Sequence, residues 1–154
     1  MPREEDERNV ATNRRARHDY LIEDVVECGM VLSGDEVKSL REGRASLTDC
    51  YARVRDHEMW IEGLHIPPYE QGDKRTFQPT RPRKLLLHRR EIDKLGAETA
   101  EKGLVLVPMR IYFAHGIAKV EIGVGKGKRQ YEKRQALAKR ESQREIEQEA
   151  GRRR

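Results

Sequence analysis

LVLVPMRIYFAHGIAKVEIGV, Leu104 to Val124, decides how the rest of the chain is read. Two apolar runs flank a turn at Ala114–His115–Gly116. Val105, Val107, Met109, Ile111 and Phe113 take alternate positions in the first run. Ala118, Val120, Ile122 and Val124 do the same in the second. Successive strand side chains point to opposite faces, so this spacing predicts a long antiparallel hairpin with one buried side. Arg110, Tyr112, Lys119 and Glu121 fall between the apolar positions and are expected to face outward.

Working outward, YARVRDHEMWIEGLHI (Tyr51–Ile66) predicts two more strands joined by a tight turn near Asp56 and His57, ended by Pro67 and Pro68. YLIEDVVECGMVL (Tyr20–Leu32) predicts one or two strands with a bulge or bend at Gly29. Between these, SGDEVKSLREG carries Ser33 and Glu36 at capping-box spacing. Val37 and Leu40 share a face, and Gly43 is a stop signal, which together predict a short helix. Residues 69–83, with Gly72, Pro79 and Pro82, are expected to form a loop. Leu85, Ile92, Leu95 and Thr99 predict a helix from Lys84 to about Lys102, stopped by Gly103. Six or so short strands without βαβ alternation predict a mainly β fold with peripheral helices. A small closed or nearly closed barrel suits them, because closure removes exposed strand edges.

The 154 residues suit one domain with terminal extensions, and a charged fraction of 38% exceeds the apolar 36%. The net charge of +5 favours a polyanionic partner, and it is unevenly placed. From Lys126 to Arg154 eleven cations face five acids, whereas the rest of the chain holds 21 cations and 22 acids. Cys28 and Cys50 lack metal-ligand spacing and are expected to be reduced. No apolar run is long enough to span a membrane, and MPREEDERNVATNRR has no apolar signal core, so a cytoplasmic location is expected.

The glycines Gly123, Gly125 and Gly127 raise the question of a nucleotide site. A P-loop needs GxxxxGK and then Ser or Thr; here Gly127–Lys128 is followed by Arg129, and Ile122 stands five before Gly127. A GxGxxG motif fails at Lys128. The expectation is a flexible exit from the last strand. The five histidines show no metal-ligand spacing and no serine lies in a GxSxG context, so no catalytic residue, metal or cofactor is expected.

Two basic segments point to RNA. In RPRKLLLHRREI (Arg81–Ile92) three consecutive leucines cannot share one helix face, so at least one should lie near the surface beside Lys84, His88, Arg89 and Arg90. NRRARHDY (Asn13–Tyr20) sets cations beside an imidazole and a phenol where an arm meets the first strand. Beyond Gly127 the sizeable apolar residues Tyr131, Leu137 and Ile146 make no continuous stripe, although the segment is rich in helix formers. A tail that is mobile when free and helical against a polyanion is expected.

NRRARHDYLIED, GDEVKSLREGRASLTDCYARVRD, PTRPRKLLLHRREIDKL and KVEIGVGKGKRQYEKR, in this order, resemble the SsrA-binding protein (small protein B) family. The resemblance runs from about Asn13 to Arg134. It implies a six-stranded antiparallel barrel of the oligonucleotide-binding type over residues 13–125. Residues 1–12 and the end of the tail are not covered by the resemblance; 1–12 are expected from their polar composition to be a flexible N-terminus, and 126–154 would be a basic tail, disordered when free and helical on the ribosome. It further implies binding to the tRNA-like domain of transfer-messenger RNA. That RNA would be delivered, with elongation factor Tu and GTP, to stalled ribosomes for trans-translation, without catalysis by the protein. Asn13, Arg15, Arg17, His18, Glu27, Lys84, Leu86, His88 and Lys119 are the implied RNA contacts. Gly127, Lys128, Arg129, Tyr131, Lys133 and Arg134 are the implied contacts to the 16S rRNA decoding region, with the tail probing the empty mRNA channel. The family's bulky aromatic farther along the tail is replaced here by SQREIEQE. The alternatives are a general rRNA-binding ribosomal or assembly protein, and a nucleotide-dependent enzyme using the glycine segment.

Overall fold

The computed structural model describes residues 7–152; the first six residues, and the Arg153 and Arg154 counted in the basic tail, lie outside the described residues. The decisive hairpin is present as β6 (Val105–Ala114) and β7 (Ile117–Gly127). Its turn uses His115 and Gly116, both at positive φ. The other strands are β1 (Glu7–Thr12), β2 (Tyr20–Met30), β3 (Tyr51–Arg55), β4 (Glu58–Glu62) and β5 (Arg83–Leu86). Their order is β1-β6-β3-β4-β5-β2-β7, and β7 pairs with β6 as well. The sheet therefore closes on itself as a ring with β1 attached outside. The seam between β3 and β6 is narrow, with Ala52 opposite Leu106.

Inside the ring Cys28, Met59, Ile61, Leu85, Leu106, Ile111, Val120 and Ile122 form one core. Helix α3 (Arg89–Lys102) adds Ile92 and Leu95 to it and ends at Gly103, whose left-handed φ of 65° suits glycine. Each such aliphatic side chain contributes about 1.5–3 kcal/mol by leaving water. Helix α2 (Gly34–Arg41) has the capping box expected of Ser33 and Glu36. Glu36 does more than cap. Its carboxylate also accepts from Arg83 Nε (2.6 Å) and from Arg81. Arg83 is fully buried and donates to the carbonyls of Leu64 and Pro79, so the pair pins α2, β5 and the 67–82 loop to one another.

Five expectations change. Residues 7–12, expected to be flexible, pair with the far half of β6 as a seventh strand. An edge strand covered on one side needs little apolar content, which hid it. Arg83, expected to end the loop, and Lys84–Leu86, expected to open the helix, are strand β5, and the helix begins only after His88. Ring closure recruits these residues to bridge β4 and β2, overriding their helical spacing. The bend in β2 falls between Ile22 and Asp24, not at Gly29. A matching irregularity between Pro108 and Arg110 interrupts β6. One extra residue reverses the phase of a strand, so Leu106 lies in the core while Val107 and Met109 pack outside it with Ala16, Tyr20 and Ile22. Lastly, Gly123–Gly127 is no flexible exit. It is the end of β7, paired with β2 throughout and with β6 at Gly123 and Gly125.

Candidate nucleic-acid interface

Gly123 and Gly125 are strand residues that need the space a missing Cβ leaves, whereas a Cβ on Gly127 would meet nothing within 4 Å. A Cβ on Gly125 would stand 2.0 Å from the carbonyl oxygen of Leu21, and one on Gly123 would meet Met109 and Ile22 at 2.9 and 3.1 Å. The bare Gly123 lets Met109 and Ile22 of the outer cluster pack down on β7, and the bare Gly125 lets the backbone of β2 approach. No phosphate-cradling loop exists here, and among the described residues no group of three or more His, Cys, Asp or Glu could hold a metal ion. No helix among the described residues is long and apolar enough to cross a membrane.

Strand alternation places Glu27, Lys119, Arg110 and Tyr112 on the outer face of β2, β7 and β6. Lys119 Nζ donates to Glu27 Oε1 at 2.7 Å, and the Tyr112 hydroxyl donates to Glu27 Oε2. The Lys119 bond, followed by the Tyr112 bond, holds the Glu27 carboxyl below its ordinary range, so it is ionised at neutral pH. Tyr112 points outward as expected but is fully covered, with the Arg110 guanidinium 4.0 Å above its ring. Burial and the Glu27 bond push its phenol pKa well up, so it remains a donor. Arg110 in turn donates to Glu121 at 2.8 Å and to Glu7 of β1 at 3.4 Å. The spacing-based reading found the outward direction of these residues but missed that Tyr112 and Arg110 brace the Glu27–Lys119 pair.

Lys84 and Leu86 alternate outward on β5, and Leu86 is 51% exposed. Leu86 lies against Gly29, where a Cβ would come within 3.4 Å of its own Cβ. The surface leucine is thus present, through strand alternation rather than helix geometry. Lys84 Nζ donates to Glu58 Oε1 at 2.9 Å. His88, exposed, caps α3 with its carbonyl, which accepts from the amides of Glu91 and Ile92. Gly29 stands opposite both Leu86 and Lys119, so Glu27, Lys84, Leu86, His88 and Lys119 make one group.

The arm lies elsewhere. Asn13 is fixed by its amide, which donates to Met109 O at 2.8 Å, and by Nδ2, which donates to Pro108 O at 3.1 Å. Helix α1 (Ala16–Asp19) follows, leaving Arg15, Arg17 and His18 exposed. Tyr20 then pairs with Gly127. The arm is therefore at the tail root, about 30 Å from Gly29 at roughly 3.3 Å per residue of strand. The hydrogen bond from His18, together with the charges of Arg15 and Arg129, lowers the pKa of Asp19, which ties arm and tail root electrostatically. Lys126, 3.7 Å from Glu23, belongs to the same region. The arm also walls a cleft of about 580 Å³ against residues 45–50.

The tail itself is helix α4 (Lys128–Arg152). Tyr131, Leu137 and Ile146 are exposed on it. Residues four and seven apart share a helix face. Arg129, Lys133, Arg140 and Arg144 accordingly form one predominantly cationic stripe, which Glu147 joins seven residues after Arg140, while Glu141, Glu145 and Glu149 share another face with Arg134. Composition alone did not reveal this partial separation of charge.

The family model described as SmpB protein matches residues 10–152. A protein of Salinispora tropica named SsrA-binding protein is 58% identical over 153 residues, covering 99% of this chain and 96% of the relative. Proteins of the same name from Acidothermus cellulolyticus and Geobacillus thermodenitrificans are 55% and 52% identical, covering 99% and 90% of this chain and 96% and 89% of those relatives. A chain of a solved structure described as "tmRNA-SmpB: a journey to the center of the bacterial ribosome" superimposes with a TM-score of 0.63. It is 48% identical, and the match covers 76% of this chain and 82% of that one.

Proposed function

The chain belongs to the SmpB protein family, and on that premise we propose that it binds the tRNA-like domain of transfer-messenger RNA and helps deliver it to stalled ribosomes for trans-translation. The observation that carries this reading is the near-full-length identity to proteins named SsrA-binding protein. It is supported by the likeness to a chain solved with transfer-messenger RNA in a ribosomal setting. The closed ring of strands is read as a barrel of the oligonucleotide-binding type. The group around Glu27, Lys84, Leu86, His88 and Lys119 is assigned to the tRNA-like domain. Its outer face offers one exposed apolar side chain among polar contacts, which suits shape recognition of a folded RNA.

The tail root (Gly127, Lys128, Arg129, Tyr131, Lys133 and Arg134) is assigned to the 16S rRNA decoding region, with α4 entering the empty mRNA channel. The cationic stripe through Arg129, Lys133, Arg140 and Arg144 is the face directed at phosphates. Asn13, Arg15, Arg17 and His18 are grouped with that root by the Tyr20–Gly127 pairing, so their RNA contact is assigned to the same end of the molecule. Elongation factor Tu with GTP joins through the RNA complex. The role is binding without covalent chemistry, in the cytoplasm.

The test is to sequence the RNA that copurifies with the protein from its host. Enrichment of transfer-messenger RNA is the expected result. Ribosomal RNA without that enrichment would instead support the general rRNA-binding alternative and reject the proposal.

A further inference from the structure

Trp60, the single tryptophan of the chain, sits on the outer face of β4, partly exposed. Its two cross-strand neighbours are both cations: Arg53 on β3 and Lys84 on β5. A third, Arg55, is exposed and holds its guanidinium 5.4 Å from the indole ring centre. Neighbouring acids hold two of the three in place without leaving the patch negative. Arg53 bonds to Glu62 at 2.7 Å and Lys84 to Glu58 at 2.9 Å. One residue pair farther along β3, Tyr51 is 50% exposed.

Sheet positions that direct an aromatic ring outward between fixed cations meet the two needs of RNA contact. The ring offers a π-face for an unpaired base, and the cations lie where the flanking phosphates would pass. The patch is continuous with the group already described, because Lys84 and Leu86 alternate on β5, the strand between Trp60 and Glu27's strand β2. From this continuity and the excess of cations we infer that Trp60, framed by Arg53, Arg55 and Lys84, is a base-stacking platform that extends the RNA-binding surface across the β3–β4 hairpin. The inference rests on the RNA-binding reading above and adds a contact to it. A Trp60 present only to pack under Arg55 would stabilise the hairpin and remain indifferent to RNA.

The native protein carries its own reporter, since all tryptophan emission comes from residue 60. A fluorescein-labelled transcript of the tRNA-like domain of transfer-messenger RNA is titrated against the full-length chain. Label anisotropy reads complex formation and tryptophan emission reads Trp60. The expected result is quenching of Trp60 with the same midpoint as the anisotropy change. Trp60→Ala is expected to weaken affinity about tenfold or more, and Trp60→Phe to retain most of it. Complex formation with unchanged emission overturns the platform while leaving the RNA-binding reading intact, as does quenching with Trp60→Ala affinity within about twofold of the native value. If Trp60→Ala does not fold, emission of the native chain together with Trp60→Phe decides the matter. No anisotropy change at all rejects the RNA reading itself, and the platform with it.

Discussion

Gly127 ends β7 directly opposite Tyr20, the first residue of β2. That single pairing brings the N-terminal arm against the root of the tail and takes both far from Glu27 and Lys119. Substitutions at the two ends are therefore expected to have different consequences. Arg15→Ala with Arg17→Ala should behave like Lys128→Ala, lowering ribosome rescue in a reconstituted translation assay while affinity for the tRNA-like domain stays within about threefold. Glu27→Ala and Lys119→Ala should do the reverse, weakening RNA affinity while the ring stays folded, with a lower unfolding midpoint in Glu27→Ala because the covered Tyr112 hydroxyl loses its acceptor. Equal effects of all four on RNA affinity would reject the separation.

Cutting the chain after Gly127 leaves the whole of β7, and with it the ring, in place. The truncated protein is expected to bind the tRNA-like domain as the native chain does and to lose ribosome rescue. Loss of both activities in a truncate with native circular dichroism would place RNA recognition in α4 instead.

The glycines of β7 are expected to be unequal. At Gly125 an added methyl meets the Leu21 carbonyl, a backbone atom that cannot move aside, so Gly125→Ala should cost about 3 kcal/mol or more. At Gly123 the obstacles are the ends of the Met109 and Ile22 side chains, so Gly123→Ala should cost about 1 kcal/mol. Urea unfolding of both variants gives the comparison, and equal costs would contradict the packing described for Ala16, Val107 and Met109.

Glu36 and Arg83 are a buried pair, 1% and 0% exposed. Burial by itself would raise the Glu36 pKa, but the bonds from Arg81, the Ser33 amide and Arg83 outweigh it and keep the carboxyl below its ordinary 4.5. A carboxyl whose folded-state pKa lies below its unfolded value contributes stability that is complete above the unfolded pKa and is lost as pH falls through the folded one. Unfolding free energy should therefore decline below about pH 4.5 in the native chain, and less steeply in Glu36→Gln. At neutral pH that variant leaves Arg83 buried without its counter-charge and should be less stable by about 3–5 kcal/mol. A thermal melt series from neutral to acid pH measures both effects.

Much of this molecule is legible in local pattern. The β6–β7 and β3–β4 hairpins, the Ser33–Glu36 cap and the Gly103 stop follow from alternation and from residues whose chemistry acts within four positions. The charge of the tail is likewise readable before any coordinates, and so is the exposure of one leucine among Leu85–Leu87, although the helix assumed for them is a strand. Only the closed ring decided the rest. It turned Lys84–Leu86 into a strand, drew Glu7–Thr12 onto β6, and reversed the inward face at Met109. It also set the arm beside the tail, and Lys84 of β5 beside Trp60. Each of these depends on pairing between residues distant in the chain. Hydrogen-bond partners of that kind are selected by closure of the whole sheet, and neither local propensity nor spacing contains them.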